Sequence, residues 1–191
     1  MSCSSAPHMG CTDGSGITHI LFDSRANISL RYYNTSMNIF ILDTDPVKAA
    51  EMMCDKHVVK MILESNQMLS TVARQHGHDA PYKSTHAKHP CTLWTGESRQ
   101  NWNWLVRHSR ALCEEYTRRY SRTHKSQAVT TWAENLDINL PDSNQTPFRL
   151  AMPAAYKCSD LVESYRRYYR GEKSGFAKWK AGNIPTWWKK S

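Results

Sequence analysis

Between Val47 and Val72 apolar and small side chains recur every three or four positions: Val47, Ala50, Cys54, Val58, Met61, Ser65, Met68 and Val72. This spacing marks one face of an α-helix. Asp45-Pro46 supplies its start, an Asp N-cap followed by Pro at the first helical position, and the pattern holds to about Arg74, before Gly77. A second amphipathic pattern, from Glu97 to Arg122, predicts a helix that buries Trp102, Leu105, Ser109, Leu112, Cys113 and Tyr116. Trp94 and Trp104 also fall at core positions. A short helix is expected over 127–136, and another from a cap at Ser159 to about Arg170. On that last helix Leu161, Val162, Tyr165, Tyr168 and Tyr169 are the apolar set, the arginines face outward, and Gly171 is a natural stop. Asn38–Asp43 is an apolar run of strand character, and the polar stretches 77–88 and 139–147 read as loops. The class predicted is mainly α, a single-domain helical bundle.

Residues 1–36 break this organisation. They are rich in Ser, Gly and Thr, with short β-prone runs only at Ile17–Phe22 and Ile28–Tyr33, and read as an N-terminal extension, disordered or non-native. The folded domain is expected to span 37–191. Charge follows the same division. The formal net charge is +8, but the first 36 residues sum to zero, while from Tyr156 onward nine Lys/Arg face three acidic residues. A basic tail of this kind draws in polyanions, nucleic acid above all; the plainer alternative is a solvated basic face. The six cysteines form no CxxC pair and read as reduced thiols. With no apolar run long enough to span a bilayer and no signal peptide, the expectation is a cytoplasmic, intracellular protein.

Candidate chemistry concentrates between Cys54 and Trp104. Lys56, Lys60, Glu64 and Gln67 share one face of the first helix, three or four residues apart. A lysine beside another cation loses basicity and becomes a usable nucleophile, and a neighbouring carboxylate can move a proton or stabilise a developing cation. The alternative is a solvated face with ordinary ion pairs, although Lys60 precedes Glu64, the less favourable order for helix stability. His86 and His89 flank a turn closed by Pro90. They are read as phosphate or backbone contacts, or as a proton shuttle. With Cys54, His57 and Cys91 they could also supply four zinc ligands, although structural zinc sites favour tighter spacing. The terminal Phe176, Trp179, Trp187 and Trp188 alternate with lysines. That pattern suits unstacked bases beside phosphates, or equally a tail docking its tryptophans on the core.

In order and spacing, His57-Val58-Val59-Lys60 with Glu64 and Gln67-Met68-Leu69, His89-Pro90 with Trp94, and Cys113-Glu114-Glu115-Tyr116 resemble the pyrimidine-dimer DNA glycosylases of the phage endonuclease V type and their bacterial relatives. Pro185-Thr186-Trp187 resembles a motif near the end of the phage enzyme. The likeness covers about residues 37–124 and the C-terminus. It implies a helical protein that bends duplex DNA, flips a nucleotide and uses an amine to attack the sugar C1′, with a carboxylate assisting. It implies no cofactor. Glu64 would be the acid/base and Lys60 the amine, while Lys56, His57, Gln67, His86, His89, Arg166, Arg170, Lys178 and Trp187 would contact double-stranded DNA. In the phage enzyme the amine is the N-terminus. The matching residue here is Asn38, which follows Met37 and 36 further residues, so Lys60 or Lys56 would have to supply it. The expectation is an N-glycosylase, with or without AP-lyase activity, acting on damaged or modified pyrimidines. Its competitors are a DNA-binding protein without chemistry and a zinc-stabilised module.

Overall fold

The computed structural model describes residues 37–180 and 184–188, so the reading of 1–36 as an extension lies outside the described residues. Asp45 caps α1 (Pro46–Glu51) through its carboxylate, which accepts the Val47 and Lys48 N–H groups at 2.9 and 3.0 Å. The predicted single helix is in fact two. The chain breaks at Met52–Cys54 and resumes as α2 (Asp55–Gln75). The cause is tertiary: the buried Arg119 guanidinium donates to the Glu51 and Met53 carbonyls at 3.0 and 2.7 Å. It is held in turn by Glu115 and Asp55. The Cys54 N–H is taken by the Tyr169 hydroxyl at 3.0 Å. α2 ends where expected. Gly77, at φ +83°, closes a Schellman motif in which Gly77 and His78 donate to the Arg74 and Ala73 carbonyls.

The second predicted helix is α4 (Arg99–Tyr120), within the expected Glu97–Arg122, and a short helix that the periodicity did not mark, α3 (Pro90–Gly96), precedes it. Ser98 caps α4 by accepting the Asn101 N–H at 3.1 Å. α5 (Gln127–Glu134) lies within the predicted segment, and a 3₁₀ turn follows at Ala154–Tyr156. α6 (Leu161–Lys173) is capped by Asp160, one residue beyond the expected Ser159. It also runs through Gly171 instead of stopping there. That glycine makes room for Tyr156, whose ring would lie 2.5 Å from an added Cβ.

The described residues are helical with no strand. Asn38–Asp43, expected to have strand character, joins no sheet among the described residues. The Asn38 side-chain oxygen accepts the Ile39 and Phe40 N–H groups, and Phe40 turns the chain at φ +55°. α2 and α4 pack against one another at the centre, with Trp94, Trp102, Met61, Leu69, Leu105 and Tyr165 fully buried between the elements. A polar seam also crosses this core: Asn66 on α2 donates to the Ser126 carbonyl and the Thr130 hydroxyl at 3.1 and 2.9 Å. The long segment between α5 and the 3₁₀ turn is secured by Asn101, which exchanges hydrogen bonds with Thr146 at 2.7 and 3.0 Å. Of the basic C-terminal aromatics, Trp179 donates to the Met52 carbonyl at 3.1 Å and Trp187 rests on Met52 and Tyr169. The docking alternative describes this tail. No helix of the described residues is long and apolar enough to cross a membrane.

Candidate active site on the second helix

Glu64 lies on α2 in the stripe predicted from spacing, yet it is only 7% exposed. Its burial comes from outside the helix: the segment before α1 crosses α2 so that the Asn38 N–H donates to Glu64 Oε2 at 3.0 Å. One helical turn earlier on α2, Lys60 places its ammonium 3.1 Å from Oε1, with half of its own side chain in solvent. Burial pushes the Glu64 carboxyl above the ordinary 4.5, opposed by Lys60, the Asn38 N–H and the nearby His86. A carboxyl held this way can carry a proton closer to neutral pH than a surface glutamate can.

The His86–Pro90 turn adjoins this carboxylate. His86 sits at φ +50°, exposed, with Nδ1 2.7 Å from the Thr85 hydroxyl, and its charge acts on both Glu64 and His89. Half-buried His89 accepts the Cys91 N–H at 3.2 Å and so caps α3; burial and His86 lower its pKa. Gln67 is half-buried three residues beyond Glu64, and Lys56 is exposed, its ammonium 5.1 Å from the Phe176 ring centroid. Glu64, Lys60, His86 and His89 thus share one neighbourhood.

Other predicted residues do not join it as expected. His57 is 6% exposed, stacked on Phe40 at 4.5 Å and met edge-on by Tyr169 and Phe176, so it is a packing group and presents no surface to a phosphate. Arg166 donates to the Leu42 carbonyl at 3.0 Å, and Arg170 pairs with Glu163 at 2.6 Å. Both guanidinium groups lie against the Trp187 ring. These three residues, expected on DNA, hold the tail to the domain in this structure while staying partly exposed. Lys178 keeps an exposed side chain while its carbonyl accepts the Asp55 N–H at 2.8 Å. The zinc alternative finds no ligand set: among the described residues no group of three or more His, Cys, Asp or Glu could hold a metal ion. Cys54 is the buried N-cap residue of α2 and Cys91 is buried in α3, with thiols that burial pushes up.

Two neighbours went unnoticed in the sequence. Phe40 was hidden in an apolar run, and Lys173 lies past the glycine read as a stop. The available signal for Lys173 was its position four residues after Tyr169 and eight after Tyr165, on the buried face of α6.

The helical domain thus sets a buried, ion-paired carboxylate on the Lys56/Lys60 face of its central helix. Residues 37–128 match the model of the family described as pyrimidine dimer DNA glycosylase, and this part of the chain belongs to that superfamily. No curated protein and no solved structure matches the chain.

Proposed function

We propose that the domain is a DNA N-glycosylase that releases a damaged or modified pyrimidine from double-stranded DNA, with Glu64 as its acid/base. The observation that carries this reading is the Glu64 carboxylate, buried on a helix face that also presents Lys56 and Lys60, with its proton affinity raised by burial. The target base is stacked in the duplex, so a small protein must extrude the nucleotide to reach C1′. Lys56, Lys60, Lys178 and His86, exposed in this geometry, are the groups available to phosphates. As the glycosidic bond breaks, positive charge develops on the sugar, and a carboxylate held by an N–H and an ammonium is already oriented to meet it. Lys60 suits the role of charge partner to Glu64 better than that of attacking amine, because its ammonium is engaged by the carboxylate.

A second reading, a DNA-binding protein without chemistry, draws support from the same contacts: both Glu64 oxygens are already occupied, one by Lys60 and one by Asn38. The test is an assay of base release and strand incision on duplexes carrying ultraviolet dimers, oxidised or methylated pyrimidines, run with protein starting at residue 1 and at Met37. Free base from at least one lesion supports the enzyme. Tight binding to duplexes with no base released from any would establish the binder.

A further inference from the structure

α6 ends on Lys173, which is 8% exposed. Its ammonium meets ring faces: Nζ is 4.8 Å from the Tyr168 centroid and 5.7 Å from that of Phe40. Among the described residues it makes no ion pair and donates no side-chain hydrogen bond. The Phe40 ring that covers it also stacks on His57, one turn of α2 before Lys60. Phe40 is itself two residues from Asn38, whose N–H is bound to Glu64. The charges of Lys60 and Glu64 both act on Lys173. Burial foremost, and Lys60, lower its pKa, opposed by Glu172 and Glu64. An ammonium largely covered by ring faces, with no carboxylate or carbonyl acceptor among the described residues, is poorly solvated, which lowers its proton affinity. Lys60 is in the opposite situation, half in solvent and ion-paired at 3.1 Å.

We propose that Lys173 is the nucleophilic amine of this site, attacking C1′ of the deoxyribose left when the base is released; the proposal rests on the glycosylase reading above. Neutral Nζ adds to the C1′ aldehyde of the ring-opened abasic sugar, and the carbinolamine loses water to give a protonated Schiff base. That cation acidifies C2′. Loss of the C2′ proton to a base, for which Glu64 is the carboxylate of this site, breaks the C3′–O bond and expels the 3′ phosphate. Water then hydrolyses the imine and returns the free amine, so no oxidant or reductant is consumed. Lys60, ion-paired to Glu64 at 3.1 Å, holds that carboxylate in place.

The test uses the full chain and a duplex with a pre-formed abasic site, trapped with borohydride, and locates the modified residue by peptide mass spectrometry. The expected label is on Lys173. Lys173→Arg should lower the adduct yield by about an order of magnitude. Label on Lys60 or on the N-terminal amine, or no adduct at all, overturns the proposal. Mapping the unaltered protein needs no variant to fold. The abasic duplex also bypasses base release. Label on Lys173 without base release from any lesion would therefore remove the glycosylase reading and leave the amine, and base release without label would do the reverse.

Discussion

The Glu64 carboxylate accepts the backbone N–H of Asn38 at 3.0 Å, which brings the start of the domain onto the middle of its central helix. An amide nitrogen has its lone pair committed to the peptide bond, so at this position it can orient the carboxylate but cannot attack a sugar. The chemistry assigned to the site therefore divides between a carboxyl whose proton is held unusually tightly and an amine drawn from elsewhere in the domain.

Replacing Glu64 with Gln keeps the shape of the side chain and removes its proton chemistry. Base release should fall by about 10²–10⁴-fold, the usual range for a positioned acid/base, while duplex affinity changes little. Single-turnover release of free base, set beside a binding titration, checks this. Undiminished release by the variant would take Glu64 out of the mechanism.

Stability should fall in mild acid. Buried His108, with Nδ1 2.9 Å from the Pro46 carbonyl, is held neutral by burial down to about 4, and His57 down to about 3. An unfolded histidine takes up its proton near 6.5, so between that pH and these values the unfolded chain binds more protons and is favoured. The loss approaches about 1.4 kcal/mol per pH unit for each histidine and is absent above 6.5. Glu64, whose carboxyl is shifted upward, acts in the opposite sense and offsets part of it. Melting temperatures between pH 7.5 and 4.5 should decline, and His108→Gln should flatten the slope. A decline as steep in that variant would show that another group is responsible.

Arg119 has a side chain with no exposure and serves two carbonyls and two carboxylates at the α1–α2 break. Arg119→Leu strands Glu115 beside Arg118 alone and leaves both carbonyls without their donor. A loss of about 3–5 kcal/mol is expected by urea denaturation, the range for breaking a buried ion pair from one side. A change within experimental error would mean that water takes over the guanidinium's contacts.

The basic residues should divide into two groups by salt dependence. Lys56→Ala and Lys178→Ala, at exposed positions, should each reduce the slope of log affinity against log salt by about 1 without altering the melting temperature. Arg166→Ala, Arg170→Ala and Trp187→Ala should instead lower the melting temperature, since these side chains bind one another, Leu42, Glu163 and Met52. Equal salt slopes for the two groups would place the tail on DNA.

Local signals carried most of the helical content. The Asp45-Pro46 start, the Gly77 stop and the three-to-four spacing of α2 and α4 depend on neighbouring residues, and they persist in the structure. The break at Met52–Cys54 was illegible because Arg119, far along the chain, supplies the donors that make it tolerable. The Glu64 position was readable from spacing, but its burial was not, since the covering segment contains Asn38 and Phe40 and looked like a strand. Gly171 misled for a related reason: it is small to admit Tyr156, a demand that periodicity along α6 does not register. Lys173 was lost behind it.

The segment shared with the glycosylase family stops at residue 128, yet its first and central helices are finished by what comes later. Asn38 donates its side-chain amide to the Ala151 carbonyl, Asp55 its N–H to the Lys178 carbonyl, and the Met52 carbonyl is met by Trp179. The exchangeable module is therefore larger than the recognisable motif. A chimera that grafts residues 37–128 onto a relative's C-terminal portion would have to preserve the complementarity to α6 and the tryptophan tail, or its helix ends would be left open to solvent.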